Sequence, residues 1–308
     1  MVFAARCVRH VTILSMTDFL LICLLRAVQQ LLRVFPERAC AATGSALGSL
    51  AFLCLGRRRR VAVANAARIL PDLTPGEARG VARSCFRKLG VNFTESLLFP
   101  YIPKSEYGSR FKLEKQGRVD EALKGGRGVL ALGFHYANWE ITGVSAILLG
   151  REIVALARPL KGHAGLNGFL NGLRSATGLT IIPNRDTARD VVRLLGEDRI
   201  VAFLGDQREK RSRAVWVDLF GQKVPTSKGV VAVAMKTGAP VVPVYARREG
   251  FLRYTIVYND PLLMERKGAP LDELIMRNAR RVNAFLEEIV RERPDEWFLA
   301  HRRFGRDT

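Results

Sequence analysis

The sequence has no uninterrupted apolar stretch of the ~20 residues that a straight bilayer-spanning helix needs. Its main uncharged run, 39–55, is shorter and diluted by Thr43, Gly44, Ser45, Gly48 and Ser49. There is no GxSxG elbow, no Walker loop, no Rossmann glycine fingerprint and no zinc-ligand spacing, which removes the commonest signatures of serine hydrolases, nucleotide-binding enzymes and zinc proteins. The five cysteines (Cys7, Cys23, Cys40, Cys54, Cys85) all lie in the first third and form no CxxC pair, so they are expected to be small buried hydrophobes in a reducing compartment. Internal repeats and low-complexity tracts are absent, which excludes solenoids and arrays. Acidic residues are scarce: 29 Asp and Glu stand against 49 Lys and Arg, for a net charge of +20. Such a chain seeks an anionic partner, whether nucleic acid, an acidic membrane surface, or an acidic carrier or substrate.

With 308 residues and 48% hydrophobic content, the chain can bury a sizeable core and is not disordered. Residues 1–16 read as a basic, disordered extension, with Met16 an equally good start and no small-residue cleavage site downstream. From Thr17 to Phe35 the pattern is amphipathic. Leu20, Leu21, Leu24, Leu25, Val28, Leu31 and Leu32 form one side and Arg26, Gln29, Gln30 and Arg33 the other, which suits a helix lying in a membrane interface. The run 39–55 then reads either as a membrane-embedded, re-entrant hairpin or as a pair of buried helices. The block Arg57–Arg60 directly after it would sit among anionic headgroups, form a solvated turn or make a nucleic-acid contact. Thr74-Pro75-Gly76-Glu77 has capping-box spacing and opens a helix to about Phe99. These features define a membrane-associated helical region over 17–103, followed by a domain over 104–308.

In that second region strand-like and helix-like stretches alternate. Strands are expected at 129–134, 153–157, 179–183, 200–204, 241–245 and 254–258, and helices at 139–149, 166–177, 187–195, 228–236 and 272–292. The fold class is therefore α/β, a mixed sheet flanked by helices, with functional groups gathered at strand ends. His135 stands where the apolar run 128–134 hands over to the next helix. Five residues along one helix correspond to roughly 140° of rotation, so His135 and Glu140 meet only if His135 lies on the connecting turn and Glu140 on the first helical turn, near a cap at Asn138. In that geometry Glu140 accepts a hydrogen bond from one ring nitrogen while the other takes a proton from a hydroxyl supplied by the substrate. Two further polar groups fall at strand ends. Arg158 could hold a phosphate or carboxylate, or stabilise an oxyanion. Asp206 could position a substrate hydroxyl, pair with Arg158, or cap its loop. The segment 207–213 forms a basic loop, 225–229 resembles a helix start facing an anion, and 297–304 mixes aromatics with cations as an interface or phosphosugar site does. His163 has no carboxylate at informative spacing and reads as structural or exposed.

His135 to Glu140 is the HxxxxE form of the HxxxxD/E motif of glycerolipid-type acyltransferases. With Asn138-Trp139-Glu140 it resembles the late acyltransferases of lipid A biosynthesis, the lauroyl and myristoyl transferases. The resemblance continues through Arg158-Pro159-Leu160-Lys161, Ile182-Pro183, Gly205-Asp206-Gln207, Pro225-Thr226, 240–246 and His301-Arg302-Arg303-Phe304. Asn65 and the turn Pro71-Asp72-Leu73-Thr74 also take part, so it covers nearly the whole chain from Thr17. What this implies is an enzyme on the cytoplasmic face of the inner membrane that moves a fatty acyl group from acyl carrier protein to a hydroxyl of a lipid A precursor. His135 is then the base and Glu140 its orienter, with Asn138, Arg158, Asp206 and Arg302 toward the substrate. The family pattern implies no metal, no cofactor and no acyl-enzyme, and its partners are an acidic carrier protein, an anionic lipid and the membrane surface. Coenzyme A as the thioester donor, and another lipid acceptor, remain open alternatives. Nucleic acid is not expected, because the apolar N-terminus and the histidine motif have no place in such a binder. Tyr136-Ala137 departs from the family, where glycine is more typical at the second position.

Overall fold

The computed structural model describes residues 15–157, 159–183 and 187–305. Its helices are α1 (Met16–Arg33), α2 (Glu37–Cys54), α3 (Gly56–Ile69), α4 (Pro75–Leu98), α5 (Tyr107–Arg110), α6 (Gly117–Leu123), α7 (Ser145–Leu149), α8 (Ala164–Ala176), α9 (Thr187–Gly196), α10 (Gly229–Thr237) and α11 (Leu271–Glu292). The strands are β1 (Phe111–Glu114), β2 (Val129–Gly133), β3 (Ile153–Ala157), β4 (Leu179–Pro183), β5 (Ile200–Leu204), β6 (Ala214–Leu219), β7 (Gln222–Ser227), β8 (Val241–Gly250) and β9 (Arg253–Tyr258).

Seven strands form one mixed sheet in the order β1-β9-β8-β2-β5-β3-β4, and β6 and β7 make a separate antiparallel hairpin. From β8 to β4 the neighbours run parallel, whereas β9 turns back antiparallel to β8 and carries β1 with it. Strands covered on both faces read as continuous apolar runs, and β2 is buried at every residue. Each of Val129, Leu130 and Leu132 contributes roughly 1.5–3 kcal/mol by leaving water. The expected strands at 129–134, 153–157, 179–183, 200–204, 241–245 and 254–258 correspond to β2, β3, β4, β5, β8 and β9.

Helix α4 opens with the anticipated capping box, Thr74 Oγ1 accepting from the Glu77 amide at 3.3 Å and Glu77 Oε2 from the Thr74 amide at 2.8 Å. It packs along α2 at very short range. A Cβ added to Gly48 would lie 2.0 Å from Phe86 O, and one on Gly90 2.0 Å from Gly44 O, so the glycines of the 39–55 run are there for backbone contact. The arginine block belongs to the first turn of α3, which leaves α2 at 98°. Residues of α2, α3 and α4 (Phe52, Ala66, Ile69, Phe86) share one hydrophobic core with β2, β5 and β8, so both sides of residue 103 contribute to it.

Helix α1 turns two polar residues, Asp18 and Gln29, inward together with Leu32, while Arg26, Gln30 and Arg33 are exposed. Gln29 donates to Leu97 O at 2.9 Å, and Asp18 is 2% exposed and receives His163 Nδ1 at 2.7 Å and the Gly165 amide at 3.0 Å at the start of α8. His163 therefore does have a carboxylate partner, 145 residues away in the chain. Phe19, Leu20, Leu24 and Leu31 of α1, with Leu47, Leu50 and Leu53 of α2, are left exposed. No single helix among the described residues is long and apolar enough to cross a membrane, and the bent pair α2–α3 passes by length and composition alone. Two of the expected buried cysteines also face outward: Cys40 and Cys85 are buried, Cys23 and Cys54 are not.

Candidate active site

The parallel pairing of β2 with β5 aligns Gly133 with Leu204, and the Gly205 amide donates to Gly133 O at 3.0 Å, carrying the ladder past the strand ends. Two residues further on, the same register sets His135 beside Asp206. Asp206 Oδ1 lies 2.7 Å from His135 Nδ1, and Oδ2 accepts from the His135 amide and from the Trp297 indole, each at 2.9 Å. Burial raises the pKa of the Asp206 carboxyl, but the charge of His135 and these hydrogen bonds outweigh it and hold the pKa at about 2. An ionised Asp206 makes Nδ1 the protonated ring nitrogen and leaves Nε2 as the basic one. Nε2 meets the Gln207 amide at 3.0 Å, at the wall of a cavity of 540 Å³.

The expected hydrogen bond between His135 and Glu140 is not formed. Residues 139–144 are a 3-10 helix, not the first turn of an α-helix. Glu140 points to α8, where Arg174 grips it with Nε at 3.1 and 3.2 Å and Nη2 at 3.1 Å, and Trp139 Nε1 adds a bond at 3.2 Å. The ring contact that proximity in sequence suggested for Glu140 is made by Asp206, 71 residues from His135. Trp139, Glu140 and Arg174 form a shared wall between the His135 cavity and a second, apolar cavity of 250 Å³ lined by Leu25, Phe93, Phe169 and Leu173 among others.

The turn carrying His135 is fastened from behind. Phe298 N donates to His135 O at 2.9 Å, Ala137 N to Glu296 O at 2.8 Å, and Asn92 Nδ2 to Ala137 O at 2.6 Å. Asn138 is 1% exposed and donates to Glu95 Oε2 at 3.0 Å, while lining the apolar cavity. Glu95, fully buried on α4, also receives Arg248 Nη1 and Leu252 N at 2.9 Å and Tyr254 OH at 2.6 Å. Nothing in the sequence singled this carboxylate out.

Trp297 is 2% exposed and donates to Asp206, so the indole of the aromatic-cation segment is internal scaffolding, whereas Phe298, His301, Arg302 and Phe304 are partly exposed. Arg303 is buried and donates to Pro225 O and Thr226 Oγ1 at 2.7 Å, its pKa pulled down by burial to about 10. Residues 225–227 are the end of β7, and the first amide of α10, at Gly229, is taken by Ser227 Oγ at 3.2 Å. His301 accepts the Arg208 amide on Nε2 at 2.9 Å, and burial lowers its pKa to about 4. Asn65 Nδ2 holds both Leu299 O and His301 O at 2.8 Å, tying α3 to the same segment. Arg302 is half-buried beside it. Arg158 lies outside the described residues.

A histidine held by a buried carboxylate at the strand ends of an α/β sheet is an arrangement suited to general-base chemistry. Residues 9–306 match the sequence profile of the bacterial lipid A biosynthesis acyltransferases, so the chain belongs to that family and is an acyltransferase. The lipid A biosynthesis palmitoleoyltransferase of Escherichia coli K12 is 24% identical over 267 residues, 85% of this chain and 83% of that protein. The lauroyltransferase of the same organism is 21% identical over 263 residues, again 85% and 83%. A phosphatidylinositol mannoside acyltransferase of Mycolicibacterium smegmatis is 25% identical over 160 residues, 51% of this chain and 52% of that one.

Proposed function

We propose that this acyltransferase moves a fatty acyl chain from the thioester of acyl carrier protein to a hydroxyl of a lipid A precursor, with His135 as general base. The observation that carries the reading is the orientation of His135: Nδ1 is spent on buried Asp206 and Nε2 is turned to the cavity. In this reading the nucleophile is the substrate's hydroxyl and no acyl-enzyme is involved, which accords with ring contacts of His135 to Asp206 and Gln207. The acceptor hydroxyl displaces the Gln207 amide from Nε2 and gives up its proton there. Its oxygen attacks the thioester carbonyl carbon, the C–S bond of the tetrahedral intermediate breaks, and the leaving thiolate takes the proton back from His135. Asp206 stabilises the imidazolium formed in between.

Glu140 holds the Arg174 guanidinium at the cavity wall, where it faces charge developing on the carbonyl oxygen. The adjoining apolar cavity suits the acyl chain. Arg158 and Arg302 are assigned to the acceptor's anionic groups, and Asn138 to keeping the site's frame through Glu95. The exposed leucines of α1 and α2, next to Arg57–Arg60, suit a protein seated on an anionic leaflet at the cytoplasmic face of the inner membrane.

The similarity to mannoside acyltransferases supports a second reading, the same reaction on another glycolipid. Mass spectrometry of total lipids with and without the gene separates the two. A lipid A species that gains one acyl unit only when the gene is present supports the first. Gain on a different glycolipid supports the second, and unchanged lipids overturn both.

A further inference from the structure

The β5–β6 loop, 207–213, holds four cations, Arg208, Lys210, Arg211 and Arg213, and one acid, Glu209. All four cations are exposed and make no ion pair among the described residues. On α11, by contrast, the arginines are neutralised locally: Arg277 pairs with Glu273 at 2.5 Å and Arg291 with Glu287 at 3.1 Å. The loop's positive field is thus unspent and points outward.

This loop is built, not slack. The Arg208 amide donates to His301 Nε2 at 2.9 Å, Arg213 N closes a 3-10 turn on Lys210 O at 2.9 Å, and Lys228 N reaches Arg213 O at 3.2 Å. Its first residue, Gln207, touches the Nε2 of His135 and lines that cavity, so the four cations follow in sequence directly from the cavity wall. Beside it, Trp216 on β6 is 44% exposed and pairs with Pro225, whose carbonyl accepts the Glu209 amide at 3.4 Å. An exposed indole among arginines is the composition of protein–protein hot spots. No leucine, isoleucine, valine or phenylalanine occurs in 207–213, in contrast to the exposed face of α1 with Phe19, Leu20 and Leu24. A bilayer-inserting segment needs such side chains, and a partner with a flat acidic surface does not.

We infer that the 207–213 loop with Trp216 is the docking surface for the acidic carrier protein that delivers the acyl thioester. Resting on the acyl-transfer reading above, it places the carrier where its prosthetic arm enters the His135 cavity.

The test compares wild-type enzyme with the charge-reversed K210E/R211E/R213E variant, whose substitutions are surface changes that leave the melting temperature in place. Initial rates are measured with acyl carrier protein and with the acyl-pantetheine thioester of the same chain. Binding of the carrier alone is followed by fluorescence titration without acceptor. The expected result is a loss of about 10- to 100-fold in kcat/KM for the carrier-borne donor, through KM, with the pantetheine donor unchanged within about twofold. Carrier binding weakens in parallel, and added salt weakens the wild type in the same way. Equal losses with both donors, no loss with the carrier, or a rise in KM for the lipid acceptor alone overturns the inference. If wild-type enzyme transfers from neither donor, the acyl-transfer reading falls. The binding titration then still decides the docking surface: a carrier that binds wild type and variant equally, or neither, removes it.

Discussion

Asp206 and His135 are joined twice, once through the ring at 2.7 Å and once through the His135 backbone amide at 2.9 Å. The carboxylate thereby sets both the tautomer of the imidazole and the position of the turn that carries it. Asn at position 206 cannot do both. With its oxygen on Nδ1, its NH2 group faces two other donors, the Trp297 indole and the His135 amide; turned the other way, it favours the wrong tautomer. D206N is expected to lower kcat by ~10²–10⁴-fold with KM little changed, and H135A to abolish transfer while remaining folded. Steady-state kinetics with circular dichroism as the fold control checks this, and near wild-type turnover in either variant removes the general-base assignment.

The Glu140–Arg174 pair predicts a different signature. Because Glu140 acts through Arg174 rather than through the histidine, E140Q and R174Q are expected to be non-additive in kcat/KM, with a coupling of about 1–3 kcal/mol. Strictly additive losses in the double mutant would separate the two residues functionally. E140Q is also expected to leave the pH profile of kcat unmoved, unlike D206N, since it makes no bond to the ring.

What could be read from the sequence, and what could not, follows from how far apart the interacting residues lie. Strands β2, β5 and β8 are legible because a strand buried on both faces is a short apolar run. The β6–β7 hairpin is not, since Gln222, Lys223 and Pro225 disguise its second strand, and Arg57–Arg60 reads as a turn while forming the start of α3. His135 is legible as a base from its place after β2. Its true partner is legible only through the Gly133–Leu204 register, which no local spacing encodes, and the nearby Glu140 offered a false neighbour. Glu95 is hidden for the same reason, its partners Arg248, Leu252 and Tyr254 lying 153, 157 and 159 residues away. On α1 the apolar residues were visible but not their division: Leu20, Leu24 and Leu31 are exposed, whereas Leu32 packs in the core with Leu25 and Val28 beside it, on the side where Gln29 and Asp18 find their partners.

Ala137 adopts φ = 49°, in the left-handed region that a side chain disfavours by about 1–2 kcal/mol. Glycine at this position, typical of the resembling family, relieves that cost. A137G is therefore expected to hold or raise stability, by up to about 1 kcal/mol once the extra freedom of the unfolded chain is subtracted, with activity retained. A137V combines a β-branched side chain with that φ at a site 1% exposed, and should destabilise by more than about 2 kcal/mol. Urea unfolding of the two variants measures both; a destabilised A137G would mean that the methyl group's packing outweighs the backbone strain.

Leu20, Leu24 and Leu31 are 60%, 59% and 58% exposed on α1, so they contribute little to the fold. If they enter a bilayer interface, inserting all three is worth roughly 3 kcal/mol or more. L20Q/L24Q/L31Q should keep its melting temperature and lose roughly 100-fold in partitioning to vesicles containing anionic lipid. Sedimentation with vesicles gives the answer, and undiminished binding of the triple variant would assign the membrane contact to another face.

His301 links site and stability through pH. Burial holds its folded pKa at about 4, below the ordinary 6.5, so the unfolded chain binds the proton more readily. The corresponding stability is fully present above 6.5 and is lost as pH falls toward 4. A protonated His301 also has no lone pair for the Arg208 amide, so the loop beginning at Gln207 loses that anchor. The His301→Gln variant can still accept that amide through its side-chain oxygen but does not titrate. Between about pH 7 and about pH 5, the wild type is expected to lose about 2 kcal/mol more stability than H301Q. Urea unfolding at the two pH values tests this directly. Equal losses would show that the folded protein takes up the proton on His301 without cost, and would separate this histidine from the ordering of the catalytic loop.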